Sequence, residues 1–465
     1  MNIKPKVGLL GLYLDLYDRV SPESRSRMDS FYKQISDELT HRGIDILNSP
    51  LCRLRGEVSA AVDKFESNGA EAIVTLHLAY SPSLESAESL AGSRLPVIVL
   101  DTTPTYSFDC AQDPAEIMYN HGIHGVQDLC NMLIRLNKRF RVEAGHWEKS
   151  DVLTRVSAWI QAAHMANTMR NQRIGRIGEP FRGMGDFQIE SRIMHSRVGV
   201  ESFPADHQLL RTLMPEANDP AVLAEIENDK QIFDASGVDH DAHVITTQVS
   251  LAVRRWIERG GLTGFTANFA AFDAAFGLPT VPFLEAEKAM ARGIGYAGEG
   301  DVLTAALVGT LASTYSETSF TEMFCPDWEG GSVFLSHMGE INPEVCSEKP
   351  KLTCSPMPWI EVNAPVMAVG RFKHGCVTLV NLAPGPNGAF TLIVVPGQML
   401  SYEGEDRFAN SVRGWFKPDM ELTDFLEEYS RLGGTHHSAL VYFSFTEDLM
   451  RFADIMEWDC AVLGE

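Results

Sequence analysis

The chain has little positive charge. Lys and Arg number 39 against 62 Asp and Glu, a formal net charge of −23. Phosphate backbones and anionic lipid surfaces need basic partners, so nucleic acid and membrane are not expected as partners. The eight cysteines (Cys52, Cys110, Cys130, Cys325, Cys346, Cys354, Cys376 and Cys460) form no CxxC pair, which argues against a zinc ribbon or a redox dithiol. Scattered cysteines in a chain this long fit a reducing cytoplasm. No apolar run approaches the roughly 20 residues that span a bilayer. The N-terminal MNIKPKVGLLGLYLDLYDRV has neither a long apolar h-region nor a small-residue cleavage site. A cytoplasmic protein is therefore expected. GLLGLY (8–13) lacks the GxGxxG spacing, so no dinucleotide site is read there. Internal repeats and low-complexity segments are absent from the sequence.

What is present reads as α/β. At 465 residues the chain exceeds one hydrophobic core. Short apolar runs at 6–12, 43–49, 72–78 and 96–101 predict strands, with helices at 23–42 and 58–69 between them. That alternation predicts a parallel, doubly wound sheet. Helical patterns follow at 122–139 and 151–170. RIGRIGEP (173–180) opens a second α/β unit, which continues through 196–202, helices at 219–235 and 241–260, and GLTGFTANF (261–269). After about Gly330, segments 370–384 and 388–400 alternate and are punctuated by Gly and Pro, as antiparallel strands are. The expected architecture is two Rossmann-like parallel-sheet domains, 1–172 and 173–318, and a β-rich C-terminal domain, 319–465.

The chemistry gathers in the C-terminal half. Glu299 lies in GYAGEGD, Glu322 in ETSFTEMF, His337 in FLSHMGE, and His436 and His437 end GGTHH. Carboxylates with imidazoles make a mixed O/N set suited to a borderline divalent ion with positions open for substrate. Each motif also has a plain reading. GEG is compatible with a tight turn, Glu322 with a solvated loop acid, and His337 with a core histidine. In GGTHH an extended backbone would send the two imidazoles to opposite sides, one to a metal and one to substrate. VDHDAH (238–243) places His240 and His243 three apart, yet lacks a metalloprotease-like HExxH context and reads as a helix start capped by Asp241. In HGIHG (121–125), His121 and His124 stand at another helix start, as caps or as contacts to a substrate hydroxyl.

Taken in order, these motifs resemble the L-arabinose isomerase family, within the arabinose/fucose isomerase superfamily. AGHW (144–147), GFTANF (264–269), GYAGEGD with TAAL (304–307), TSFxE (318–322), SHM (336–338) and GGTHH carry the likeness over most of the chain. The resemblance implies metal ligands Glu299, Glu322, His337 and His437, with His436 left for substrate. It implies a divalent ion, Mn²⁺ with Co²⁺ or Mg²⁺ as alternatives, and three domains. It also implies a homohexamer whose sites lie at subunit interfaces, His124 reaching a neighbour's site.

Three segments depart from the family pattern. LYLDLYD (12–18), with Tyr13 and Asp15, replaces a short polar motif. His121 replaces a Gln. EPFRGMGDF (179–187), with Phe181 and Met184, replaces an Asn-Met-Arg-Glu loop. All three fall where the family contacts the distal end of the sugar. The expected activity is aldose–ketose isomerisation of an open-chain sugar by Glu299 and Glu322 through an enediol, with a hydride shift as the alternative route. The rival readings are a metal-dependent epimerase, lyase or dehydratase on a sugar derivative, and a non-catalytic sugar-binding protein.

Overall fold

The computed structural model describes residues 4–273, 275–358, 361–442 and 446–464. The chain divides into two compact units, Met1–Asn167 and Thr168–Glu465.

The first unit is built on one parallel sheet. Its strands are β1 (Lys6–Leu12), β2 (Asp45–Asn48), β3 (Ala72–His77), β4 (Val97–Asp101) and β5 (Phe140–Ala144), in the order β2-β1-β3-β4-β5. Every pairing is parallel. β3 is buried along its whole length, as a strand covered by helices on both faces must be. The glycines of GLLGLY serve packing. A Cβ at Gly8 would stand 2.4 Å from the Phe65 ring on helix Arg55–Ser67. β5 was not expected. Its sequence FRVEA is largely solvent-facing at the sheet edge, so it lacks the apolar run that announces a buried strand.

The second unit holds another parallel sheet: β6 (Arg173–Ile177), β7 (Glu201–Pro204), β8 (Gly264–Ala267) and β9 (Gly295–Gly298), in the order β7-β6-β8-β9. β9 was hidden inside a glycine-rich motif. Its Gly295 lets the following helix, Val302–Thr314, approach so closely that a Cβ would meet the Ala305 carbonyl at 2.1 Å.

The rest of this unit is antiparallel except at its last strand. It comprises β10 (Thr318–Asp327), β11 (Ser332–Ser336), β12 (Lys351–Cys354), β13 (Val366–Val369), β14 (Gly375–Pro384), β15 (Phe390–Met399), β16 (Gly414–Pro418), β17 (His437–Tyr442) and β18 (Asp459–Val462). β12 and β13 form a separate pair. The order β14-β17-β10-β11-β16-β15 closes into a barrel through the β14–β15 pairing, and β18 adds to β15 in parallel. Its core includes Leu335, Val377, Ile393, Phe416 and Leu440. The β-rich region thus begins at Thr318, before the change of texture near Gly330, because β10 carries polar residues and Pro326 at its exposed end.

VDHDAH is structural, with one correction. Asp239, not Asp241, caps helix His240–Gly260 through the Ala242 N–H at 3.0 Å. Asp241 lies in the first turn. His243 is buried against Asp229 at 2.9 Å. Asp229 also accepts from Lys288 Nζ at 2.8 Å. Lys288 and Arg254 in turn hold Glu225 at 2.7 and 2.6 Å.

Candidate active site

The barrel register assembles half of the site. On β10, Glu322 lies opposite His437 of β17 on one side and opposite Ser336 of β11 on the other. His337 follows Ser336 directly. Three adjacent strands therefore bring Glu322, His337 and His437 to one end of the barrel. His337 Nε2 stands 3.8 Å from Glu322 Oε2.

The parallel sheet supplies the other half. Glu299 follows the carboxyl end of β9, where α/β sheets bind their ligands. Its backbone is left-handed, φ 61°, an uncommon state for a residue with a Cβ. Two hydrogen bonds fix it there: Glu299 N donates to the Ala267 carbonyl at 2.9 Å, and Phe181 N donates to the Glu299 carbonyl at 2.8 Å. Glu299 Oε2 then lies 3.6 Å from His437 Nε2 and 3.7 Å from His436 Nε2. Gly298 makes room for the cluster, since a Cβ there would come within 2.8 Å of His337 Cε1.

Each imidazole is held by a carboxylate on its other nitrogen. Glu340 Oε2 is 2.6 Å from His337 Nδ1, Asp301 Oδ2 is 3.0 Å from His437 Nδ1, and Asp186 Oδ2 is 2.6 Å from His436 Nδ1. Glu340 is itself held by the Tyr296 hydroxyl at 2.9 Å. Phe320 stands edge-on to His337 and His437, with ring centroids 4.7 and 4.9 Å away. Phe187 stacks on His437 at 5.3 Å and 10°.

The charges are coupled. Burial alone would raise Glu299, but the adjacent His436, His437 and His337 imidazoles bring it below the usual carboxylate range. Burial opposes the charged form of His337, yet Glu340, Glu322 and Glu299 raise it above the ordinary imidazole value. Burial likewise opposes His436, which Glu299 and Asp186 push up to about 9. A divalent ion in the cluster would compete with that proton.

The site fits such an ion. Glu299, His436 and His437 offer ligand atoms within 4.8 Å of one another, as do Glu322, His337 and His437. The two groups share His437. Nε2 of His436 and of His437 are buried without a hydrogen-bond partner. A buried imidazole nitrogen left unpaired is costly; a cation would satisfy that of His437, and that of His436 is open to the cation or to a substrate hydroxyl. A carboxylate behind each ligating histidine is the arrangement that fixes tautomer and ring direction in metal sites.

The structure thus brings together Glu299, Glu322, His337, His436 and His437. The two histidines of GGTHH do not face opposite sides. β17 begins only at His437, and both rings converge on Glu299 with centroids 4.2 Å apart. Phe181 reaches the cluster through its backbone, while its ring packs on Phe269 at 5.3 Å. Met184 is half-buried in the same loop. His121 and His124 belong to the N-terminal unit and cap nothing there. The helix Ile123–Arg135 has Gly122 at its N-cap with no side-chain bond. His121 bridges the Ile117 carbonyl and the Tyr17 hydroxyl, both at 2.7 Å, and His124 is exposed beside it. Tyr13 is buried, with its hydroxyl on Asp18 at 2.7 Å, and Asp15 pairs with Arg19 at 3.4 Å. The residues missed from sequence are Asp186, Asp301, Glu340 and Phe320. Asp301 and Glu340 follow a site residue by two and three positions inside motifs already singled out, which was the available signal.

Comparisons with known proteins place the chain among sugar isomerases. The family described as L-arabinose isomerase central domain matches residues 216–316, and that described as L-arabinose isomerase C-terminal domain matches 317–459. An L-arabinose isomerase of Oceanobacillus iheyensis is 26% identical over 377 residues, covering 74% of each chain. One from Lactiplantibacillus plantarum is 28% identical over 348 residues, covering 71% of each. A solved periplasmic solute-binding protein from Actinobacillus succinogenes covers 66% of this chain and 91% of its own at 12% identity, with a TM-score of 0.17, too low to carry an argument. Fold, site and matches together define an isomerase, an intramolecular oxidoreductase. The chain belongs to the L-arabinose isomerase family.

Proposed function

We propose that this chain is a divalent-metal-dependent aldose–ketose isomerase. The observation that carries the reading is the pair of partnerless Nε2 atoms, on His436 and His437, facing Glu299 beside a second acid, Glu322. Glu299, Glu322, His337 and His437 would hold the ion, with Mn²⁺ favoured over Co²⁺ or Mg²⁺. When bound, it supplies Lewis-acid polarisation of the sugar carbonyl. One of Glu299 and Glu322 takes the proton from C2 and returns it to C1. The other moves the hydroxyl proton from O2 to O1, through a cis-enediol. Glu299, buried among three imidazoles, is kept ionised and so available as a base. Phe320 and Phe187 cover the imidazoles and keep water from them.

The chain reads as three domains, 1–172, 173–318 and 319–465, of a cytoplasmic homohexamer in which exposed His124 completes a neighbour's site. All eight cysteines are free, in keeping with a reducing compartment. No helix among the described residues is long and apolar enough to cross a membrane. The substituted segments 12–18 and 179–187, with His121, Phe181 and Met184, set the sugar preference. A panel of aldoses assayed with Mn²⁺ and with EDTA tests the reading. Ketose formation that EDTA abolishes supports it. A panel with no isomerisation, or with EDTA-resistant turnover, overturns it.

A further inference from the structure

The loop 179–187 meets the site at three points, all in the C-terminal unit. Phe181 N–H donates to the Glu299 carbonyl, Phe187 stacks on His437, and Asp186 Oδ2 accepts from His436 twice, from the backbone N–H at 3.1 Å and at the ring Nδ1 at 2.6 Å. Its entry is anchored too, by Asn268 Nδ2 donating to the Glu179 carbonyl at 2.7 Å and by the Phe181 ring on Phe269, but its glycine tip is open. Side chains at Gly183 or Gly185 would meet nothing within 4 Å. A cavity of about 360 Å³, lined in part by Pro180, Phe187 and Gly300, borders it.

His436 differs from its neighbours in what orients it. Glu340 and Asp301 hold His337 and His437 from within the barrel and from β9's own motif. His436 precedes β17, so no strand pairing sets its ring. Among the described residues, Asp186 is the only group shown on its Nδ1. Rotation of the ring would carry Nε2 away from Glu299, and two-point acceptance by one carboxylate oxygen prevents it.

We propose that Asp186 is a positioning residue for sugar binding, fixing the His436 ring so that Nε2 faces the substrate hydroxyls and tying the loop's conformation to sugar affinity. This rests on the isomerase reading above. The specificity loop then acts through His436 as well as through any direct contact of Phe181 or Met184. Mn²⁺ binding should be spared, because His337 and His437 keep Glu340 and Asp301 behind them, and Asp186 bonds to neither Glu299 nor Glu322.

The test is a set of variants assayed as Mn²⁺-loaded protein on whichever aldose turns over fastest. Asp186→Ala should raise KM by at least about tenfold, with a smaller change in kcat and Mn²⁺ affinity within about twofold. Asp186→Asn, which keeps an acceptor of the same size, should restore most of the loss. In a His436→Asn background, Asp186→Ala should add less than about twofold, since residues sharing one interaction are not additive. An unchanged KM in Asp186→Ala, or an equal effect with and without His436, overturns the inference. A crystal structure of Asp186→Ala reads the ring directly, whether or not the protein isomerises a sugar. A rotated His436 supports the proposal, and a ring in its original place refutes it. Absence of aldose turnover in the unmutated protein is a different failure, that of the isomerase reading.

Discussion

Asp301 and His437 meet in a fully buried 3.0 Å contact, and the same carboxylate starts a helix. Oδ2 faces His437 Nδ1, while Oδ1 accepts the Thr304 N–H at 2.9 Å and caps helix Val302–Thr314. That helix is buried through almost its whole length, so Asp301 is held firmly and passes that rigidity to the His437 ring.

The two roles separate by substitution. Asn caps helices about as well as Asp, whereas Ala loses the cap at a cost of about 1 kcal/mol. Asp301→Asn should therefore keep its stability to urea but lose 10- to 100-fold in metal affinity, roughly the cost of removing a carboxylate behind a ligating histidine. Asp301→Ala should lose both. Urea unfolding with a parallel Mn²⁺ titration reads the difference. Equal Mn²⁺ affinity in Asp301→Asn would show that the contact does not set the ring.

Gly298→Ala should act on the site while sparing the fold. Its Cβ would press on His337 Cε1 at 2.8 Å, and the strand continues to favour an extended residue there. The expected result is a far-ultraviolet circular dichroism spectrum like that of the unmutated chain and a clear fall in Mn²⁺ affinity. An unshifted affinity would mean that the His337 ring moves freely.

Acid stability should depend on Glu225. Burial would raise its pKa, but Arg254 and Lys288 bring it down from 4.5 to about 2. A folded-state pKa below the unfolded one stabilises the fold above pH 4.5 and loses that contribution as pH falls toward about 2. The shift is worth up to about 3 kcal/mol, shared with the coupled lysine and arginine. Stability measured against pH should fall across that window, and the fall should shrink in Glu225→Gln. Parallel acid limbs in the two proteins would contradict this.

L-Arabinose is predicted to be a poor substrate. His121, Tyr13, Asp15 and residues 181–187 differ from the family pattern, and an unpaired buried hydroxyl partner costs roughly 1–3 kcal/mol, about one to two decades in rate. A kcat/KM comparison across aldoses checks it. If L-arabinose ranked first, those substitutions would be neutral.

Much of the scaffold was legible because buried strands are apolar and short while their helices keep a 3.6-residue period. β1, β3, β4, β14 and β15 all lie within the predicted runs. β5 and β10 were not, since an edge strand and a half-exposed barrel strand carry polar residues. The five side chains of the cluster, Glu299, Glu322, His337, His436 and His437, were legible as motifs in order. Their second partners were less so. Asp186 and His436 lie 250 positions apart, and no local pattern pairs a loop acid with a distant histidine. The direction of the two GGTHH rings also failed to follow from sequence, because it depends on where β17 begins.

The central claim is that Glu299, Glu322, His337 and His437 form one metal site that performs the isomerisation. The most direct measurement is the titration of metal-stripped protein with Mn²⁺, following ketose formation and thermal stability together, for the unmutated chain and for Glu322→Gln. An ion bound only by the folded state raises stability by mass action. The account predicts that activity and stability rise together to one equivalent per chain, and that Glu322→Gln shows neither rise. Full activity without metal, or a Glu322→Gln protein that binds Mn²⁺ and turns over normally, would contradict it.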